Sequence, residues 1–361
     1  MNNVNAIKFL SEGISIISLI KKCDFLTDYN VSLEYSYNGT DWSVWDLSGL
    51  IINQGKTLYI RGNNPNGFSC WNEDIEVYYT IVIEGDKVSC SGNIMSLIDY
   101  KTLPNIIPCD YCFYELFSGC TSLTTAPELP ATELTDRCYY QMFSGCTSLT
   151  TAPELPAKNL AEWCYDGMFS DCTSLVNAPE LPATELTDRR YYQMFSGCTS
   201  LTTAPELPAT ELANGCYSYM FEGCTSLTTA PELPAMALAD NCYDGMFSDC
   251  TSLVNAPELP ATELTDRCYY QMFSGCISLI TAPELPATML ARWCYSRMFF
   301  DCTSLKTAPN LPAKTLKEWC YSRMFSGCTS LTSAPELPTM ALTEWYYFRM
   351  FDGCTLLKDK K

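Results

Sequence analysis

Apolar positions from residue 116 onward recur every 26 residues. The pair Met-Phe stands at 142/143, 168/169, 194/195, 220/221, 246/247, 272/273, 298/299, 324/325 and 350/351, and Leu116-Phe117 makes a tenth copy. A cysteine follows each Phe by three residues, from Cys120 to Cys354. A leucine follows each of those cysteines by three, from Leu123 to Leu357. A typical unit reads MFSGCTSLTTAPELPATELTDRCYYQ, and no unit carries an insertion or a deletion. Fixed apolar columns at such a period predict a solenoid, in which each unit buries its apolar face only against its neighbours.

One unit can be read locally. Leu134, Cys138, Met142 and Cys146 fall four apart, which predicts one face of a short helix or helical turn, stopped by Gly145. Residues 148–152 are short and β-prone, with Leu149 pointing inward. Each proline of Pro153-Glu154-Leu155-Pro156 removes a backbone donor, so that stretch predicts an extended corner outside any continuous ladder. Residues 1–100 follow a period of two instead. Leu33, Tyr35 and Tyr37 alternate with polar residues, Asn38-Gly39 is a hairpin turn signal, and Trp42, Val44 and Trp45 resume the pattern. Thr57 to Arg61 and Ile75 to Glu84 read as further strands. The expectation is an α+β repeat protein with two parts. A small antiparallel, β-sandwich-like domain over 1–100 anchors or caps a solenoid over 101–361. The solenoid has ten 26-residue units, each with a short strand, a proline corner and a helical turn. The array closes on a short charged end, Lys358-Asp359-Lys360-Lys361.

Charge and composition narrow the function. The chain of 361 residues carries 22 Lys and Arg against 41 Asp and Glu, a formal charge of −19. That balance argues against nucleic acid or an anionic membrane as a partner. Histidine is absent, which removes Ser-His-Asp and Cys-His catalysis, His-ligated zinc and imidazole pH switching. No glycine-rich phosphate loop, GxSxG or HExxH occurs, and Gly55-Lys56-Thr57 lacks the glycines a phosphate loop needs. No catalytic residue, metal ligand or cofactor is assigned. No run of 18 apolar residues predicts a transmembrane helix, and residues 1–22 lack the basic start and small-residue cleavage site of an export signal.

The 22 cysteines invite a disulfide reading, but their positions favour another. Ten occupy the column after Phe. Eight occupy a second column, Cys112, Cys138, Cys164, Cys216, Cys242, Cys268, Cys294 and Cys320, in which Arg190 and Tyr346 also stand. An obligatory bridge does not tolerate such replacements, and residues eight apart on a helix lie about 12 Å apart along its axis, beyond disulfide reach. The columns read as ladders of small buried hydrophobes; a disulfide framework is the alternative. Cys109-Asp110-Tyr111-Cys112 is the one spacing that invites metal or redox chemistry, and zinc there would need two further ligands. The exposed Glu column, Glu128, Glu154, Glu180, Glu206, Glu232, Glu258, Glu284 and Glu336, reads as a solvated acidic face or a strip for cations.

Two columns vary. One reads Arg137, Trp163, Arg189, Gly215, Asn241, Arg267, Trp293, Trp319, Trp345. Four residues on, the other reads Gln141, Gly167, Gln193, Tyr219, Gly245, Gln271, Arg297, Arg323, Arg349. On a helix, residues four apart are neighbours, so Trp293/Arg297, Trp319/Arg323 and Trp345/Arg349 predict indole–guanidinium stacks. These six residues are the candidate ligand-binding strip, since aromatic and Arg side chains supply recognition hot spots. The alternative is that Trp shields a groove between turns while Arg offsets nearby acids.

The unit MF-x-x-C-x-x-L with its PELPA corner resembles the bacterial surface protein 26-residue repeat, a relative of the BspA-like leucine-rich repeats. Tyr37-Asn38-Gly39-Thr40-Asp41-Trp42 and the run from Ser91 to Leu97 are similar to the β domain that precedes such repeats in proteins of gut bacteria and their phages. The resemblance implies a leucine-rich-repeat solenoid used for adhesion or recognition. The expected partner is a host or neighbouring-cell surface protein or glycan. Other virion proteins, or self-association through the C-terminal coil, are further possibilities. The expected setting is a phage virion, tail-associated, or a bacterial surface. A purely structural spacer is the other reading.

Overall fold

The structure is a computed structural model that describes residues 4–23, 29–72, 75–337 and 345–357; the charged end at 358–361 lies outside them. The chain divides into two compact units, Met1–Pro182 and Ala183–Lys361.

The first unit opens with strands β1 (Ile7–Ser11), β2 (Ser15–Cys23), β3 (Leu33–Ser36), β4 (Ser43–Val44), β5 (Leu50–Ile52), β6 (Thr57–Gly62), β7 (Ser69–Asn72), β8 (Ile75–Gly85) and β9 (Val88–Ser91). A four-residue helix α1 (Ser96–Asp99) and strand β10 (Leu123–Thr125) follow. One sheet runs β10-β9-β1-β6-β3-β4 and the other β5-β2-β8-β7. The alternation seen in the sequence sets the faces: Ile7, Phe9, Leu58 and Ile60 are buried in the first sheet, and Ile17, Leu19, Val77 and Ile81 in the second. The Asn38-Gly39 turn joins β3 to β4 as expected, with Tyr35 opposite Ser43 and Gly39 at φ +76°, a region glycine enters without a Cβ clash. β9 then pairs in parallel with β10, the strand of the first coil. The Ile81 N–H donates to the Leu116 carbonyl at 2.7 Å and the Phe68 N–H to the Cys112 carbonyl at 2.9 Å. Phe68 packs on Phe113 at 5.9 Å. The exposed end of the first coil is thereby covered.

The expected helical turn is not helical. Residues 136–145 form a string of tight turns with Arg137, Gln141 and Gly145 at φ +54°, +47° and +72°. A left-handed residue at every fourth position ends any right-handed helix. The backbone is satisfied differently. The N–H groups of Arg137, Tyr139, Gln141, Phe143 and Gly145 donate to the carbonyls of Glu162, Cys164, Asp166, Met168 and Ser170 in the next coil, at 2.7–3.1 Å. The intervening Tyr140, Met142, Ser144 and Cys146 donate three residues back, at 3.1–3.2 Å. Odd positions bind the neighbouring coil, even positions close the turn, and the buried donors find partners, as burial demands. The fold therefore has sheets and almost no helix. The α component of the expected α+β class does not appear among the described residues, beyond α1. The same alternation recurs in the second unit from Arg267 to Gly275.

The expected strand of each coil shrinks as well. After β10, the strand position is reduced to one isolated parallel bridge per coil, Thr125 with Thr151 and Thr151 with Asn177 in the first unit, then Thr229 with Asn255, Asn255 with Thr281 and Thr281 with Thr307 in the second. The proline two residues after each bridge carries no N–H and stops the ladder. Leu149, the residue expected inward, is fully buried, as are its counterparts at 175, 201, 227, 253, 279, 305 and 331.

The left-handed column gives a first prediction. Gln271 sits at φ +53°, where a side chain costs about 1–2 kcal/mol, while Gly167 and Gly245 fill the same column. Gln271→Gly is expected to raise stability by about 0.5–1 kcal/mol, the relief exceeding glycine's entropic cost. Urea unfolding checks this: a higher midpoint at unchanged slope is expected, and a lower midpoint would show that the side chain outweighs the backbone.

Candidate functional site

The cysteine columns are structural. All cysteines whose state is described are free. Cys172 Sγ lies 3.1 Å from the Phe143 carbonyl of the preceding coil, the same oxygen that accepts from the Cys146 N–H at 3.1 Å. Cys250, Cys276, Cys302 and Cys328 repeat this contact at 3.0 Å. A thiol is small enough for a stacked interior and brings a weak donor that alanine lacks. Burial pushes these thiols upward, Cys216 to about 11 and Cys268 to about 12, so the ladder thiols, apart from Cys112 beside Cys109, are poor nucleophiles and poor metal ligands. In the second column Arg190 replaces Cys; it is buried and donates to the Asp188 carbonyl at 3.0 Å.

The proline corners form repeated clefts. Pro127, Glu128 and Pro130 of one coil and Pro153, Glu154 and Pro156 of the next enclose about 450 Å³. The corners at 204–234 and 230–260 enclose about 390 and 420 Å³. The Glu carboxylates there are exposed, and among the described residues no group of three or more Cys, Asp or Glu could hold a metal ion.

The six strip residues fall within the second unit. Each sits at or beside the left-handed columns: Trp293, Trp319, Arg297, Arg323 and Arg349 have φ of +59°, +62°, +55°, +53° and +52°. The turn backbone spaces them by coil. The Arg297 N–H donates to the Ser322 carbonyl and the Arg323 N–H to the Phe348 carbonyl, both at 2.8 Å. The indoles meet one another, the first pair stacked and the second tilted. Trp293 and Trp319 lie 5.0 Å apart at 8°, and Trp319 and Trp345 lie 4.7 Å apart at 46°. The Arg267 guanidinium, 5.8 Å from the Trp293 ring, extends the stack. The helical spacing assumed for Trp293/Arg297 does not exist, and the guanidiniums take other rings: Arg297 lies 5.9 Å from Phe300, and Arg323 and Arg349 lie 5.8 and 5.3 Å from Phe348. Phe300 and Phe348 are legible in the sequence as aromatic intrusions in columns that elsewhere hold Ser, Glu, Asp or Tyr, and a spacing of four from the Trp column does not reach them.

The chemistry divides accordingly. Trp293 and Trp319 spend their faces on neighbouring coils, which favours shielding over stacking on a sugar ring. Trp345 is 48% exposed. Arg297 and Arg323 are half-buried and Arg349 is exposed. None of the three guanidiniums has an ion-pair partner among the described residues; the pair formed in these coils is Arg292 with Glu318 at 3.3 Å, more than half exposed and worth little. Arg297, Arg323 and Arg349 recur at one position of three successive coils, beside the Phe300 and Phe348 rings.

Coils linked side by side through the backbone, with leucine, phenylalanine and cysteine in fixed inward columns, define a repeat protein of the leucine-rich class. Residues 109–204 and 191–289 match the model of the BspA type leucine rich repeat region, in six copies. That match spans half of the chain, which belongs to this family. No curated protein and no solved structure matches it. No helix among the described residues is long and apolar enough to cross a membrane.

Proposed function

We propose that the protein is a non-enzymatic adhesion or recognition module of ten 26-residue leucine-rich-repeat units that follow an N-terminal β-sandwich domain at 1–100 in the sequence. Its partner is an anionic cell-surface protein or glycan, met by Arg297, Arg323 and Arg349 with Trp345. The carrying observation is that Arg297, Arg323 and Arg349, at one position of three successive coils, have no acidic partner among the described residues. Like charges at one position of successive coils repel, and an anion relieves that repulsion while gaining the planar, bidentate contacts that Arg makes. Charge along the chain agrees. Residues 289–361 hold 10 Lys and Arg against 6 Asp and Glu, whereas residues 1–288 hold 12 against 35, so an anionic surface favours contact through the C-terminal coils. Family membership supports recognition or adhesion in general terms. The setting that fits best is a phage tail component or a bacterial surface. The stacked indole faces favour a second reading for the Trp column, a structural spacer element.

The test is binding of labelled full-length protein to intact gut-bacterial cells across a salt series. Binding that weakens steeply between low and physiological salt is expected, because exposed charges are screened over a Debye length of about 8–10 Å. Binding indifferent to salt would contradict an electrostatic partner, and no binding to any cell would favour the spacer.

A further inference from the structure

Among the described cysteines one pair is built differently. Cys109 stands outside both repeat columns and is half-buried, while Cys112, three residues on, is fully buried. The two sulfurs are neighbours, both within 3.0 Å of where a side chain at Gly67 would begin. Tyr111 between them takes φ +56°, which turns the chain so that both sulfurs face one spot. That spot is Gly67, at φ +82°: an added Cβ there would run into Cys109 Sγ and stand 3.0 Å from Cys112 Sγ. Cys109 Sγ also lies 3.0 Å from the Asn66 carbonyl. The loop at 66–67 thus forms a cradle for two sulfurs, and only a residue without a side chain leaves it open.

The chemistry of the pair is asymmetric. The neighbouring thiol lowers the Cys109 proton affinity, while burial raises that of Cys112; the ladder cysteines with a resolved shift go only upward, through burial. A half-buried thiol that holds its proton less tightly, beside a fully buried partner, is the arrangement that thiol–disulfide exchange needs, one sulfur to attack and one to resolve.

We propose that Cys109 and Cys112 form a reversible dithiol–disulfide site at the junction of β7 and the first coil, exchanging with disulfides small or exposed enough to reach Cys109. With oxidised glutathione as the oxidant, the Cys109 thiolate attacks one glutathione sulfur, the glutathione S–S bond breaks, and one glutathione thiolate leaves. Cys112 then gives up its proton and attacks Cys109 sulfur, and the second glutathione thiolate leaves. The dithiol loses two electrons, glutathione disulfide gains them, and the two thiol protons end on the two glutathiones. A four-residue turn brings its end Cα atoms within about 7 Å, inside the reach of a disulfide.

Intact-mass and peptide mapping of the full chain, incubated with oxidised glutathione at neutral pH, tests this. The wild type is expected to lose two hydrogens, located to a Cys109–Cys112 bridge and restored by dithiothreitol. Cys112→Ser is expected to accumulate one glutathione on Cys109, and Cys109→Ser to block the bridge. A variant that misfolds is bypassed by timed alkylation of the native wild type, in which Cys109 is expected to react at least tenfold faster than the ladder cysteines. Glutathione found on Cys70 instead, no bridge in the wild type, or equal alkylation of Cys109 and the ladder would each overturn the proposal.

Discussion

Phe247→Ala is expected to destabilise the protein by about 3–5 kcal/mol, the range for a phenyl ring removed from a packed interior. Phe247 is fully buried and lies 5.7 Å from both Phe221 and Phe273, at 7° and 5°. Its N–H donates to the Met272 carbonyl at 2.9 Å, and its own carbonyl accepts from the Cys250 N–H and from Cys276 Sγ. Removing the ring opens a gap between two coils that the surrounding backbone, hydrogen-bonded on both sides, cannot close by collapse. Phe351 offers the control. It packs on Phe325 at 5.8 Å and is half-buried, so Phe351→Ala is expected to cost less than half as much. Stability in a repeat array is a sum of nearest-neighbour terms. Chemical unfolding of both variants checks the ordering. Equal costs would mean that the interior is not held coil by coil.

The second large effect is linked to pH. Asp244 is 5% exposed, its Oδ1 has no hydrogen-bond partner, and burial raises its carboxyl to about 7. The Tyr219 hydroxyl and Arg267 pull the value down, and Glu222 pushes it up. The folded state therefore holds a proton that the unfolded chain releases near pH 4. Stability from this group is fully present below that value and is lost as pH rises towards 7 and through it. Asp244→Asn is expected to match the wild type near pH 4 and to exceed it above pH 7 by on the order of 4 kcal/mol, at 1.36 kcal/mol for each unit. Thermal unfolding of both proteins from pH 4 to 8 checks the sign. A variant advantage that is flat with pH, or absent at pH 8, would show that Asp244 stays ionised without cost.

The repeat was legible because its columns are buried, and a buried column admits few side chains. Phe, Cys, Leu and the proline pair were placed from their period alone, and Leu149 and Phe143 lie inward as read. The strands at Leu33–Ser36 and Thr57–Gly62 followed from alternation and one Asn-Gly turn. The helical turn was misread for a specific reason. Leu134, Cys138, Met142 and Cys146 are four apart, and that spacing suits a helix face. It equally suits a string of turns whose every fourth residue is left-handed, because both put one residue in four on the same side. What separates them is the lateral hydrogen bonding of Arg137, Tyr139 and Gln141 to the next coil, and no local pattern carries that information. The occurrence of Gly167, Gly215 and Gly245 in the two variable columns was the available signal. The same error misplaced the Trp–Arg pairs: once the helix is gone, residues four apart no longer touch, and each indole meets its counterpart 26 residues away. The preference of Arg297, Arg323 and Arg349 for Phe300 and Phe348 depends on that geometry and could not be read without it.

Under the proposed function, the C-terminal coils present guanidiniums to an anionic surface. The most direct measurement is equilibrium binding of the wild type and of the Arg297→Ala/Arg323→Ala/Arg349→Ala variant to the same intact gut-bacterial cells, with circular dichroism recording the fold. Each Arg is exposed or half-buried and leaves the Phe and Cys columns untouched, so the variant is expected to fold like the wild type and to lose at least tenfold in affinity. Unchanged affinity in a folded variant would contradict the account and move the contact surface away from this row.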